Sequence, residues 1–320
     1  LYAGTGDLRF GSFSFGSNGL LKSIDGGETW TVKGADVFNP FYAPNVNAPP
    51  QYQAIGKVEV DPNNSNIVIV GAKTGLYMSY NGGDTWTGPC LTNAFSNQRQ
   101  DVTGLALTDL GTSTRLIASI GTRGFASTVQ TGIDLNGANG VYRATVPANG
   151  CPTDWTTLSR PDNGWPAGTT LGVPFNAGPP ITGNQLGRID LAVSSSDPNV
   201  IYAQVAQIPL QGMQHVILGV WRSTDGGATW SQRIGNISGS AQSWYNAGML
   251  VDPTNSNNLF LSSFRTYRST NGAGSFISTG TSPHVDHHAL AFVQGDPNRL
   301  LIGTDGGVYY SANALATTPT

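Results

Sequence analysis

An eight-residue signature recurs along this 320-residue chain and constrains the fold more than any other feature. It reads Ser23-Ile24-Asp25-Gly26-Gly27-Glu28-Thr29-Trp30, then Ser79-Tyr80-Asn81-Gly82-Gly83-Asp84-Thr85-Trp86, then Ser223-Thr224-Asp225-Gly226-Gly227-Ala228-Thr229-Trp230. A weaker copy is Ser269-Thr270-Asn271-Gly272-Ala273-Gly274-Ser275-Phe276, and a degenerate one runs from Val141-Tyr142-Arg143 to Trp155. A sixth lead-in, Gly307-Val308-Tyr309-Tyr310-Ser311, stands near the end. Asp-Gly and Asn-Gly supply the positive φ angles of a tight hairpin turn. The Ser and Asp side chains can bond the turn's own amides. The Trp is expected to fold back as an apolar plug between neighbouring sheets.

Asp-Pro pairs recur in step with the signature: Asp61-Pro62, Asp197-Pro198, Asp252-Pro253 and Asp296-Pro297. Each lies between two apolar stretches and reads as the turn joining them. A unit is therefore four short strands: apolar, Asp-Pro turn, apolar, loop, Leu-Tyr-x-Ser, Gly-Gly turn, Thr-Trp. Four-stranded units of about 40–50 residues with insertions indicate a β-propeller, all-β, of six or seven blades. Glycine at 42 residues fits a turn-rich chain, and only two glutamates, Glu28 and Glu59, leave little material for long helices. Six units are recognisable over residues 1–320, read as a single propeller domain. Unit one opens on second-strand material and unit six lacks its Thr-Trp strand, so further domains of a longer chain are expected.

These repeats resemble the Asp-box, or BNR-repeat, proteins. That superfamily includes sialidases, the xyloglucanases of glycoside hydrolase family 74 and sortilin-type receptor propellers. The resemblance implies a propeller with the signature turns between third and fourth strands; it does not choose a function, because the turn is a folding device shared by all of them. Asp25, Asn81, Asp225 and Asn271, with Trp30, Trp86 and Trp230, are accordingly read as structural. In family 74 the catalytic aspartates occupy a strand-end Asp-x-Gly-Gly setting. The similar segment here, Thr304-Asp305-Gly306-Gly307, is one residue shorter.

First strands of a propeller begin, and second strands end, on the face opposite the signature turns. That face gathers the candidate site. Asp7 and Asp305 each follow a second strand, and Pro283-His284-Val285-Asp286-His287-His288 opens a first strand with three of the chain's four histidines. Strand alternation places His284, Asp286 and His288 on one side and His287 on the other. Such a cluster suits a hydrogen-bonded polar plug, an acid–base or ligand contact, or a divalent metal; no metal and no cofactor is assigned. Aromatic residues expected beside this mouth, Phe38, Phe41, Tyr42, Trp165, Phe175, Trp244 and Tyr245, suit stacking on a sugar ring or packing as lids. The candidates are Asp7, Asp286 and Asp305 for catalysis and His284, His287, His288, Trp165, Trp244 and Tyr245 for ligand contact.

Cys90 and Cys151 are either two buried thiols or one disulfide across adjacent units. With 16 Lys and Arg against 19 Asp and Glu, the net charge of −3 argues against a partner recognised by phosphate neutralisation, such as nucleic acid. No apolar run approaches the roughly 20 residues of a membrane span. The Lys-poor, Ser/Thr/Asn/Gly-rich composition points to an extracellular or cell-surface protein. Two function classes remain. One is a non-catalytic module binding glycan or a surface protein, or serving as structure; the other is a family-74-like glycoside hydrolase using paired aspartates. Sialidase chemistry needs a Tyr–Glu pair, and Glu28 lies in a turn while Glu59 lies mid-strand, which counts against it.

Overall fold

The computed structural model describes residues 1–8, 16–38, 41–42, 51–90, 101–121, 140–166, 186–207, 217–235, 237, 242–243, 245–279 and 283–316. They form six antiparallel sheets in the arrangement of a β-propeller. Blade 1 holds Tyr2–Gly4, Leu20–Lys22 and Thr31–Lys33 as second, third and fourth strands. Blade 2 runs Ile55–Asp61, Asn64–Ala72, Gly75–Ser79 and Thr87–Cys90. Blade 3 runs Val102–Asp109, Thr114–Ile120, Gly140–Thr145 and Thr156–Thr157. Blade 4 runs Leu186–Val193, Ile201–Gln207, Ile217–Ser223 and Ser231–Ile234. Blade 5 runs Gly248–Val251, Leu259–Ser262, Thr266–Ser269 and Ile277–Ser278. Blade 6 has first to third strands His287–Val293, Asp296–Thr304 and Gly307–Ser311. A short hairpin, Phe41–Tyr42 with Gln51–Tyr52, stands outside the blades. First strands pack on one another in order from blade 2 to blade 6.

Local chemistry explains the corners. In the Asp-Pro turns, Oδ1 of Asp61, Asp197, Asp252 and Asp296 accepts the N–H two residues on, at 2.8–3.1 Å. At the third-to-fourth-strand turns of blades 1, 2, 4 and 5, the Ser hydroxyl donates to the Asp or Asn Oδ1 and accepts an amide N–H: Ser23 to Asp25 at 2.7 Å and Gly27 to Ser23 at 2.8 Å, repeated at Ser79, Ser223 and Ser269. The same Oδ1 then accepts the N–H four residues on, as Thr229 to Asp225 at 2.9 Å. Thr29, through its hydroxyl and its amide, holds the Asp25 carboxyl far below the usual carboxylate range. Gly226 and Gly227 have φ of 70° and 90°, where a Cβ is strained.

The core lies in the seams between blades. Trp230 packs on Leu158 of blade 3 and donates its indole N–H to the Leu158 carbonyl at 3.1 Å. Trp86 meets Phe38 edge-on at 5.1 Å in the seam between blades 1 and 2. Each plug thus fills the seam to the preceding blade. Trp30 does not: it is 41% exposed, a correction to the expected burial. The indole stays on its own turn and donates to the Gly27 carbonyl at 2.9 Å.

Cys90, closing the fourth strand of blade 2, is disulfide-bonded to Cys151 in the third-to-fourth-strand connection of blade 3, with Cα atoms 5.5 Å apart. Non-reduced, unfolded protein is expected to take up no alkylating reagent in mass spectrometry. Replacing both cysteines with serine should cost about 2–4 kcal/mol, because the bond closes a long loop in the unfolded chain. Two modified thiols in the non-reduced sample would exclude the bond.

Candidate functional site at the channel mouth

First strands converge where they begin, and there the six blades enclose a cavity of about 410 Å³. Its lining draws on every blade: Gly4 ends blade 1's second strand and Asp7 follows it, Lys57 comes from blade 2, Thr103 from blade 3, Arg188 from blade 4, Ala247 from the entry to blade 5 and His288 from blade 6. Asp7 and His288, far apart in sequence, therefore face one space.

Asp305 joins them through His288. The second strand of blade 6 ends at Thr304, pairing with His287 at the start of the first strand. This sets His288 Nε2 2.6 Å from Asp305 Oδ1. The Tyr245 hydroxyl donates to the same oxygen at 3.3 Å, and its ring stands edge-on to His288 with centroids 4.6 Å apart. A carboxylate that accepts from Nε2 fixes the imidazole's tautomer and orientation. The carboxylate itself is half-exposed, open to a ligand.

The remaining histidines take different roles. The expected sharing of one side by His284, Asp286 and His288 does not occur, because the strand starts only at His287 and Asp286 has φ of 63°. That left-handed residue turns its carboxylate to Asn246 Nδ2, 2.6 Å away, while its backbone amide donates to Phe264 O. Asp286 is thereby a clamp between blades 5 and 6. His284 is exposed and packs against Gly306, where a Cβ would stand 2.4 Å from the His284 Cβ. His287 is buried between Thr266 Oγ1 at 2.7 Å and the His284 carbonyl at 2.8 Å. Among the described residues no group of three or more His, Cys, Asp or Glu is arranged to hold a metal ion.

Burial lowers the His287 pKa; Arg265 and His288 add to the effect, and the His284 carbonyl and Asp286 oppose it. A His depressed in the folded state costs nothing above the unfolded value of about 6.5, where both states are neutral. As pH falls, the unfolded chain takes up a proton that the folded one refuses, so stability is lost through and below that value. The urea midpoint is expected to drop between pH 7.5 and pH 5, and His287→Gln should flatten that drop. An unchanged slope in the variant would show that His287 is not its source.

Below the mouth lies a charge network. Asp190 is fully buried and receives Lys57 Nζ at 2.9 Å and Arg188 Nε at 2.8 Å. Arg188 also donates to the carbonyls of Tyr245 and Ala247 at 3.1 and 3.2 Å. One aspartate thus ties together the first strands of blades 2 and 4 and the entry to blade 5, and gives the cavity a floor. Sequence reasoning missed Lys57, Arg188 and Asp190, although the signal was present. Ile55-Gly56-Lys57-Val58-Glu59 and Leu186-Gly187-Arg188-Ile189-Asp190 place ionisable residues at alternate positions of strands that line a channel.

Two aromatic expectations need correction. Trp165 is 5% exposed, wedged between Trp221 and Trp230 in the seam of blades 3 and 4, so it is core and not a ligand platform. Phe38 is likewise fully buried against Tyr77 and Trp86. Trp244 and Phe175 lie outside the described residues, as do the side chains of Phe41 and Tyr42. Among the described residues Tyr245 is the aromatic candidate that packs on His288 of the cavity lining.

The fold is shared with solved structures. A family 74 glycoside hydrolase from Niastella koreensis superposes with a TM-score of 0.60 at 20% identity, over 97% of this chain and 42% of that one. An ancestral family 74 enzyme gives 0.54 at 17%, over 97% of this chain and 36% of that one. The extracellular domain assigned to a one-component system of B. thetaiotaomicron gives 0.51 at 17%, over 98% of this chain and 32% of that one. This chain therefore spans less than half the length of each. No family model matches the sequence, and no curated protein is significantly similar to it.

Proposed function

We propose that this chain is an extracellular Asp-box propeller that binds carbohydrate at its channel mouth without cleaving it. The supporting observation is the cavity itself: lined by Asp7, Lys57, Arg188 and His288, with Lys57 and Arg188 held by buried Asp190 and His288 oriented by Asp305 and Tyr245 beside it. Hydroxyl-rich ligands are recognised by a few fixed polar groups beside an aromatic edge, and this rim offers a carboxylate acceptor, an imidazole and a phenol together. Asp286, committed to Asn246, is a positioning residue in this reading. A disulfide suits an oxidising compartment.

A second reading, hydrolysis by paired carboxylates, rests on Asp7 lining the cavity and Asp305 bonding His288 of that lining, since glycosidases need two carboxyls flanking the scissile bond. One experiment separates the readings. Wild type, Asp305→Asn and Asp7→Asn are titrated with a polysaccharide panel by calorimetry, with reducing sugar measured in parallel. Binding that weakens at least about tenfold in Asp305→Asn, with no sugar released by any protein, is expected from the loss of a charge-assisted hydrogen bond. Sugar release that disappears in either variant would establish the hydrolase instead. Absence of both binding and release across the panel would overturn the carbohydrate reading.

A further inference from the structure

At the seams between blades, the third strand sends a cation across to a turn carbonyl of the following blade. Lys22 Nζ donates to Gly82 O at 2.8 Å, Arg143 Nη1 to Gly226 O at 3.3 Å, and Arg268 Nη1 to Ala314 O at 3.0 Å. At the seam between blades 3 and 4 a second cation joins the first, as Arg233 joins Arg222 at the Gly272 turn between blades 4 and 5. Arg115, from the second strand of blade 3, also crosses and donates to Pro198 O. A Cβ placed on Gly226 would stand 3.3 Å from Arg115 Nη1 and 3.9 Å from Arg143 Nη1, so the two guanidiniums share one corner. A cavity of about 300 Å³ opens beside them, lined also by Thr114, Thr145, Asp154 and Thr156.

This corner carries more positive than negative charge, with two arginines facing one acid, Asp154. Neither arginine has a carboxylate in ion-pair contact among the described residues. Asp154, the acid in the lining, directs both oxygens to the Thr145 N–H at 3.1 and 3.2 Å. Arg115 is more than nine-tenths buried, and its Nε has no acceptor. Burial, and then the Arg143 charge, lower its pKa. Two guanidiniums offer ten N–H groups in all, of which the backbone carbonyls take few.

We propose that this cavity binds a tetrahedral oxyanion, presented as a sulfate or phosphate monoester. Two guanidiniums reaching one corner from different strands, with threonine hydroxyls alongside, suit an anion with three acceptor oxygens better than a planar carboxylate, which a single fork satisfies. The cavity lies beside the third-to-fourth-strand turns, on the face opposite the channel mouth, so the propeller carries a second binding point independent of the first.

The probes are sodium sulfate and sodium phosphate, titrated by calorimetry against sodium chloride at matched ionic strength; galactose 6-sulfate, glucose 6-phosphate and plain glucose then tell the two ester sources apart. Saturable binding of at least one tetrahedral anion is expected, weakened about tenfold or more in Arg143→Gln and in Arg115→Gln. Asp154→Asn should strengthen it several-fold, because it removes a negative charge while keeping an acceptor for Thr145. Lys22→Gln, at the seam between blades 1 and 2, should leave it unchanged. Lack of saturation below roughly 10 mM in wild type, or unchanged affinity in folded Arg143→Gln, would overturn the site. Should the arginine variants fail to fold, an Asp154→Asn protein without tighter binding would overturn it equally.

Discussion

Replacing Asp190 with alanine is expected to destabilise the propeller by about 3–5 kcal/mol, because it strips the partner from a buried cation and an adjoining lysine. Asp190 is 1% exposed and is held between Lys57 at 2.9 Å and Arg188 at 2.8 Å. Burial pushes its carboxyl pKa up, yet the Arg188 and Lys57 charges outweigh burial and hold it below the ordinary value. The attraction between these groups therefore exceeds the cost of desolvating the carboxylate, and losing it leaves Arg188 charged in a confined site. Arg188 would keep its bonds to the Tyr245 and Ala247 carbonyls, which limits the damage. A urea midpoint for Asp190→Ala within about 1 kcal/mol of wild type would show that water reaches the network. A triple replacement, Lys57→Met with Asp190→Leu and Arg188→Met, should recover much of the loss, since apolar groups of similar volume often match a buried ion network. The triple variant would also lose the polar cavity floor, so unchanged ligand binding in it would separate the floor from the rim.

The sequence made the blades legible because each corner is written in residues with local chemistry. Ser23, Asp25, Gly26 and Gly27 interact within five positions, so the turn can be read without knowing what surrounds it. Asp305 and His288 were singled out by composition and by where strands of a propeller end, and the structure brings them to 2.6 Å. What eluded the sequence is what depends on more than one blade. Asp190 meets Lys57 at a separation of 133 positions, and no local pattern reports that distance. Trp165 looked like a loop aromatic beside a mouth, but the residues that bury it, Trp221 and Trp230, belong to another blade. Alternation failed over His284–His288 because one left-handed residue, Asp286, breaks the strand period before the strand has begun.

Two copies of the same motif should respond unequally to one substitution. Trp230→Ala is expected to cost about 3–5 kcal/mol, the usual range for truncating a buried large aromatic. Its indole is 5% exposed, meets Trp165 edge-on at 5.0 Å and spends its N–H on the Leu158 carbonyl of the preceding blade. Removing it opens a void in the seam and leaves that carbonyl without its donor, two costs that add. Trp30 occupies the same place in its own turn but is 41% exposed, and its N–H goes to Gly27 within that turn. Trp30→Ala should therefore cost about 1 kcal/mol or less, as for a surface position that fills no seam. Chemical denaturation of both variants tests the argument that the plug acts between blades and not within its turn. Equal, small losses would mean the Trp230 seam relaxes around the void. Equal, large losses would mean that a further segment packs over Trp30, and that the seam beside blade 1 is closed by residues beyond those described.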